Sequence, residues 1–312
     1  MVQSNENTNI LITGGNGQIG SDLKSIKHKK NLKLLFPDSK TFNLLSKKTM
    51  SSFFENNKVD LILNLAAYTE VDNAEKNKTL CKKVNLGGVV TLGKIAKERN
   101  IGFIQISTDY VFGNDNTGIR NINDQHQPIN YYGKTKSEAE KFILSNDGNN
   151  FVIRMASVFG LTGKNFIKTI VKLILNKKDL EVVYDQKISL TSSLQFSKNF
   201  SYLIDLYREK IRSNNKIIHF TNKGYTNWYD VSIVIKDEME NILNEKLITN
   251  IRPISNKDWV SLANRPNDTR LNVNFNELED FNIFLPTWES SVRDLVKEFL
   301  SQIHSESKYE KQ

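Results

Sequence analysis

Residues 10–20 read Ile10-Leu11-Ile12-Thr13-Gly14-Gly15-Asn16-Gly17-Gln18-Ile19-Gly20. An apolar run of strand type meets a glycine-rich turn directly, and a helix-period stretch follows to about Lys27. Gly14, Gly17 and Gly20 stand in a GxxGxxG spacing. One glycine permits the tight turn, a second lets backbone N–H groups approach a pyrophosphate, and a third allows close helix–strand packing. The helix then offers the free N–H groups and positive dipole end of its first turn to phosphate. A glycine pattern alone says little. At a strand–turn–helix junction it points to dinucleotide binding.

Outward from this stretch the same rhythm repeats. Strand-like runs are expected at residues 32–36, 61–65, 103–106, 151–153 and 180–183, with helices over 86–100 and 132–144 between them. Strands alternating with helices imply βαβ units and a parallel sheet covered on both faces, and near-continuous apolar strands agree with that burial. The expected fold class is α/β, a doubly wound parallel sheet. After about residue 185 helices dominate, over 196–212 and 229–244, with one strand at 217–220. That region carries Trp228, Trp259 and Trp288 and reads as a smaller α+β lobe. The expected division is 1–185 for the cofactor domain, 186–304 for a substrate lobe partly interleaved with it, and a frayed tail over 305–312.

Composition narrows the function classes. With 312 residues, 38% hydrophobic and 10% aromatic, the chain can build a real core, which excludes global disorder. Mean hydropathy is −0.45 and no apolar run reaches membrane-spanning length. The polar amino-terminus lacks the pattern of a secretory signal. Cys81 is the lone cysteine, read as a small buried hydrophobe, and it fits a reducing, cytoplasmic compartment. His28, His126, His219 and His304 have no ligand-like spacing, so no catalytic zinc is expected. Lys and Arg number 43 against 35 Asp and Glu, a net +8. The basic residues are scattered and not interleaved with aromatics, which argues against a nucleic-acid track and leaves surface lysine plus a small anionic ligand.

Two further segments carry chemistry. Tyr132 and Lys136 stand at i, i+4, one turn apart on one helix face. A neighbouring ammonium favours the phenolate, and such a tyrosine can protonate a carbonyl oxygen during hydride transfer. Thr108 and Asp109 follow the fourth strand, at the carboxyl edge where ligands of such sheets bind, and Thr108 can hydrogen-bond the reacting oxygen. After the second strand, Asp38 would suit a ribose 2′-OH and Lys40 a 2′-phosphate. The choice between NADH and NADPH stays open.

Together these pieces resemble the extended short-chain dehydrogenase/reductases, with a Rossmann-type sheet, and more narrowly the dTDP-4-dehydrorhamnose reductase family. The matching blocks are residues 14–20, the run Asn64-Leu65-Ala66-Ala67-Tyr68-Thr69-Glu70-Val71-Asp72-Asn73-Ala74-Glu75, then 84–85, 107–113, 132–136, Arg154, 158–160, 163–166, Asp185-Gln186, Trp228-Tyr229, Arg265-Pro266 and 285–288. The resemblance implies NAD(P)H-dependent reduction of a 4-keto group on a dTDP-6-deoxysugar, with Thr108, Tyr132 and Lys136 catalytic. It implies cofactor contacts at Gly14, Gly17, Gln18, Ile19, Gly20, Asn43, Leu44, Ala66, Ala67, Tyr68, Thr69, Tyr132 and Lys136. Substrate contacts are expected at Thr108, Asp109, Arg154, Ser157 and Arg265, the two arginines facing a nucleoside diphosphate. It further implies a sugar-nucleotide substrate, no nucleic acid or membrane partner, a homodimer, and in some members Mg²⁺ at the dimer contact.

The sequence departs from the family pattern at two places. Ser157 stands where relatives often carry a tryptophan against the sugar, and Lys187-Ile188-Ser189-Leu190 replaces their Gly- and Pro-bearing run. The competing readings are a 4,6-dehydratase or epimerase of the same superfamily, or a non-catalytic subunit like the regulatory β subunit of methionine adenosyltransferase. Tyr110 after Asp109, where dehydratases carry Glu, argues against the dehydratase.

Overall fold

The computed structural model describes residues 7–113 and 118–309, without the side chains of 306–309. The amino-terminal residues 1–6 and the last three residues of the expected tail lie outside that range. Strands β1 (Thr8–Thr13), β2 (Leu32–Leu35), β3 (Leu61–Asn64), β4 (Gly102–Thr108), β5 (Asn150–Met155), β6 (Val158–Phe159), β7 (Leu180–Val183), β8 (Thr191–Ser192), β9 (Ile217–His219) and β10 (Ile251–Ile254) follow in chain order. Six of them form the main sheet in the order β2-β1-β3-β4-β5-β9, every pair parallel. The order reverses between β1 and β3. A crevice therefore opens beyond their carboxyl ends, where such sheets bind ligands.

Period-two alternation sorts the strand residues onto two cores. Ile10, Ile12, Leu61, Leu63, Ile104, Phe151 and Ile153 face α1 (Gln18–Ser25) and α8 (Ser193–Arg212), whose Leu23, Phe196 and Phe200 fill that layer. Leu11, Ile62, Phe103 and Val152 face the other way, onto α2 (Lys47–Asn56), α5 (Val89–Glu98) and α6 (Tyr131–Ser145). Each fully buried aliphatic or phenyl side chain contributes roughly 1.5–3 kcal/mol, so both layers are needed to hold the sheet.

The helix expected over 86–100 starts earlier and in pieces. The segment runs through α3 (Val71–Lys76) and α4 (Lys78–Lys82), then a π-helical turn at Lys83–Gly88, before α5. The run expected as the sixth strand of the cofactor sheet, Leu180–Val183, lies elsewhere. It pairs with β10, seventy-odd residues on in the chain, in a separate two-stranded sheet. The sixth strand of the main sheet is β9, beside β5.

The boundary at residue 185 is therefore not a clean one. The segment from β6 through α7 (Phe166–Leu175) to β7 belongs to the lobe, and α8 with β9 returns to the sheet. The lobe core joins Ile170, Val171 and Ile174 of α7 to Val231, Ile235 and Met239 of α9 (Trp228–Leu243) and to Val292, Val296 and Phe299 of α11 (Trp288–Tyr309). The short α10 (Phe275–Asp280) instead sets Leu278 into the sheet core. Where a frayed tail was expected from residue 305, α11 continues to Tyr309.

Candidate active site

The glycine turn forms an open cradle. Gly14 has φ +67°, and a Cβ there would lie 2.8 Å from the Ala66 amide nitrogen. A side chain at this position would meet both backbone strain and the neighbouring loop. A Cβ on Gly20 would sit 2.5 Å from the Gly15 Cα, so α1 can approach the turn only with glycine there. Gly17 caps α1 without any side-chain hydrogen bond to the first amides, and its own N–H donates to the Gly14 carbonyl at 2.9 Å.

Thr13 ties this turn to the loop after β3. Its hydroxyl donates to Asn64 Oδ1 at 2.6 Å and accepts from the Ala66 N–H at 3.2 Å. An exposed glycine turn, a helix start with uncapped amides and a second loop held alongside fit the diphosphate of a dinucleotide.

The other expected cofactor residues differ in how they can take part. The Ile19 side chain is buried in the sheet core, so only its backbone faces the crevice. Gln18 is engaged across the crevice, its Oε1 accepting from Asn165 Nδ2 at 3.0 Å. Asn43 Oδ1 accepts from the Leu45 N–H at 2.9 Å, and Leu44 packs beside Gly88. Ala67 is half-buried and Thr69 exposed. Tyr68 is clamped by Asn85, which accepts from its N–H at 2.7 Å and donates to its carbonyl at 3.1 Å. Asn85 reaches that loop from inside the π-helical turn. Asp38 spends Oδ1 on its own turn, accepting from the amides of Lys40 at 3.0 Å and Thr41 at 2.8 Å.

Thr108, Tyr132 and Lys136 are brought together at the carboxyl end of β4. Asn130 caps α6, its Oδ1 accepting from the Gly133 N–H at 2.8 Å, and so fixes where the helix starts and where Tyr132 stands. Thr108 donates to Asp109 Oδ1 at 2.9 Å, accepts from the Tyr110 N–H at 3.2 Å, and lies within hydrogen-bonding reach of the Tyr132 phenol. Lys136 is buried and donates to the Ile106 carbonyl at 2.6 Å. Burial lowers its pKa to about 8, against the opposing charge of Glu140. The tyrosine is not lowered as expected. Burial pushes the Tyr132 phenol up, the Thr108 hydrogen bond only partly offsetting it, while the charge of Asp109 adds to the rise. Asp109 itself is pushed up to about 6 by burial, with the hydroxyls of Thr108 and Thr269 acting in the other direction.

One expected substrate residue is placed otherwise. Arg154 is only 2% exposed and its donors are committed. Nε donates to Glu140 Oε1 at 2.9 Å and Nη1 to the Ile122 carbonyl at 2.8 Å. Nη2 bonds Glu140 and lies 2.9 Å from His126 Nε2. A buried guanidinium needs its counter-charge, and Glu140 supplies it, so Arg154 holds the floor of the site and does not face a diphosphate.

Arg265 is half-buried and forms a fork to Asp72, 2.7 Å and 3.2 Å, while facing the Tyr110 hydroxyl. Ser157 is half-buried at a left-handed φ of +42° between β5 and β6. Asp72 and Asn85 lie in blocks that carry the family resemblance, without a role assigned to them there, and Glu140, outside those blocks, lies one further turn along the Tyr132–Lys136 face. Among the described residues no group of three or more His, Cys, Asp or Glu side chains is placed to hold a metal ion.

Known proteins resemble this chain over nearly its whole length. The dTDP-4-dehydrorhamnose reductase of Aggregatibacter actinomycetemcomitans is 31% identical over 293 residues, which is 92% of this chain and 97% of that protein. The crystal structure of a dTDP-4-dehydrorhamnose reductase from Clostridium acetobutylicum superposes with a TM-score of 0.82 at 28% identity, covering 94% of this chain and 100% of the other. A Bacillus anthracis enzyme of the same name, solved in complex with NADP, also gives a TM-score of 0.82, at 25% identity over 94% of this chain and 99% of that one. A family model described as the RmlD substrate binding domain matches residues 8–301. On that span and those relatives, the chain belongs to the dTDP-4-dehydrorhamnose reductase family.

Proposed function

We propose that the chain catalyses NADPH- or NADH-dependent reduction of the 4-keto group of dTDP-4-dehydrorhamnose, giving dTDP-L-rhamnose. The observation that carries this reading is the meeting of Thr108, Tyr132 and Lys136 beside the open glycine cradle. A bound nicotinamide supplies the hydride that adds to C4. The protein's task is the oxygen. Thr108 hydrogen-bonds and orients it, and Tyr132 donates its phenolic proton as the C–O bond gains negative charge. Lys136 places an ammonium close by, which stabilises the phenolate left on Tyr132. The names of the relatives, and NADP in one of their structures, support the substrate and the cofactor class.

Tyr132→Phe removes the proton donor and keeps the ring. With both cofactors and a panel of nucleoside-diphosphate 4-keto-6-deoxysugars, turnover is expected to fall by about 10²–10⁴-fold with circular dichroism unchanged. Near-native turnover in that variant would sink the assignment. The lone cysteine and the family resemblance support a cytoplasmic enzyme. The resemblance also carries a homodimer, which light scattering of the purified chain tests.

A further inference from the structure

We infer that Glu140 is a positioning residue for the reduction: its one carboxylate, buried beneath the site, anchors the strand end that presents Thr108 and places a negative charge one helical turn from Lys136. The inference rests on the reductive reading above. Tyr132, Lys136 and Glu140 follow at successive turns of α6, on the face turned to β4. Lys136 Nζ donates to the carbonyl of Ile106 at 2.6 Å, and Glu140 Oε2 accepts from the hydroxyl of Ser107 at 2.7 Å. The two side chains therefore grip consecutive residues of β4, and the next residue is Thr108. A shift of either grip would displace the Thr108 hydroxyl relative to Tyr132, and misplacements of this kind are costly in rate.

The charges point the same way. Glu140 is fully buried, with Arg154 from β5 bonded to its Oε1 and a His126 ring nitrogen 3.2 Å away. Burial works against its ionisation, but the hydrogen bonds and charges of His126 and Arg154 prevail and hold it at about 2. His219 of β9 touches Arg154 at 3.3 Å and is itself held down to about 4 by burial and by that guanidinium, so it adds no positive charge at neutral pH. The charge of Asp124 acts on His219 in the opposite direction to that guanidinium. On the Lys136 side, Glu140 opposes the burial that drives the ammonium towards its neutral form, while burial pushes the Cys81 thiol up and leaves it uncharged at neutral pH. Tyr132 faces Asp109 and Cys81.

The test uses the full chain and Glu140→Gln, which keeps shape and removes charge. Two readouts are followed: the alkaline limb of the kcat profile, and the ¹⁵N titration of Lys136 Nζ by NMR without substrate, assigned with Lys136→Arg. Both are expected to move to lower pH by about one unit, roughly a tenfold change in the protonated-to-neutral ratio. Ser107→Ala is expected to lower kcat with KM and the limb unchanged, because it loosens the strand end and leaves the charge in place. Glu140→Asp is expected to restore the Lys136 titration but not the full kcat.

If Glu140→Gln leaves Arg154 unpaired and does not fold, Glu140→Gln with Arg154→Met removes both charges, and a smaller shift in the same direction is expected of it, because the opposing guanidinium goes with the carboxylate. An unmoved Lys136 titration in the folded variant overturns the inference. A moved titration in a chain whose unaltered form reduces no keto-sugar overturns the reductive reading and leaves the charge pairing standing.

Discussion

At the residue scale, Lys136 sets function against stability. Its ammonium is buried, and burial brings the pKa down to about 8 from the ordinary lysine value. The unfolded chain, with an ordinary lysine, binds the proton more tightly than the folded one. Between about pH 8 and the unfolded lysine value near 10.4, the unfolded state therefore holds more protons, and stability contributed by this group rises with pH. Below pH 8 the fold carries the full cost of an ammonium out of water. Lys136→Met is expected to abolish turnover yet raise the unfolding free energy at pH 7 by about 1–3 kcal/mol, the range reflecting the lost bond to the Ile106 carbonyl. Urea melts from pH 7 to 10 check it, and the advantage of the variant should shrink as the pH climbs. An advantage over the unaltered chain no larger at pH 7 than at pH 10 would refute the argument.

The Tyr132–Lys136 pair was legible because a helix repeats nearly every fourth residue. Its electrostatic setting was not, because the depth of burial and the reach of Glu140 depend on where β4 and β5 pass beneath the helix. Arg154 illustrates the same limit. An arginine at a strand end reads as a phosphate ligand until its carboxylate partner is found, and Glu140 lies on another element.

At the element scale, α6 depends on its cap. Asn130 makes two bonds with opposite senses: Oδ1 accepts from Gly133 N–H at 2.8 Å, and Nδ2 donates to the Asn264 carbonyl at 2.9 Å. The first holds the helix start; the second ties it to the lobe. Asn130→Ala loses both and is expected to cost about 1–2 kcal/mol in stability. Asn130→Asp keeps the acceptor and loses the donor, so it should retain most of the stability while raising the KM for the sugar nucleotide. Chemical denaturation and steady-state kinetics on the pair separate the roles, and equal losses in both variants would show that they are not separable. The helix itself was expected from the periodicity of residues 132–144. The π-helical turn before α5 was not, since only a slip in hydrogen-bond register turns Asn85 inward to clamp Tyr68, and such turns often mark functional sites.

At the scale of the whole molecule, two lobes are sewn together by chain that crosses between them. β7 has the same apolar character as the strands of the main sheet, so its sequence offered no reason to place it apart. Its partner β10 carries Pro253, tolerable on an edge strand, and pairing at such separation leaves no local mark. One of the contacts between the lobes is made at Asp72. Its carboxylate receives both Arg265 Nη groups and the Ala263 N–H, at 2.7, 3.2 and 3.0 Å, and the Arg265 hydrogen bond holds its pKa below the usual carboxylate range. Asp72 lies in the segment after β3, on the cofactor side, while Ala263 and Arg265 lie on the lobe loop.

A folded pKa below the unfolded value means this contribution is present above about pH 4 and is lost as the pH falls through the folded value. Both side chains are partly exposed, so the pair itself is worth at most about 1 kcal/mol to stability. Its weight falls on lobe position. Asp72→Asn leaves the shape and removes the charge. It is expected to raise the KM for the sugar nucleotide about three- to tenfold while the KM for the dinucleotide and the melting temperature stay near native. The effect should diminish in high salt, which screens the pair in the unaltered enzyme too. A rise in the dinucleotide KM of equal size would place the Asp72 contact in the cofactor cradle and not between the lobes.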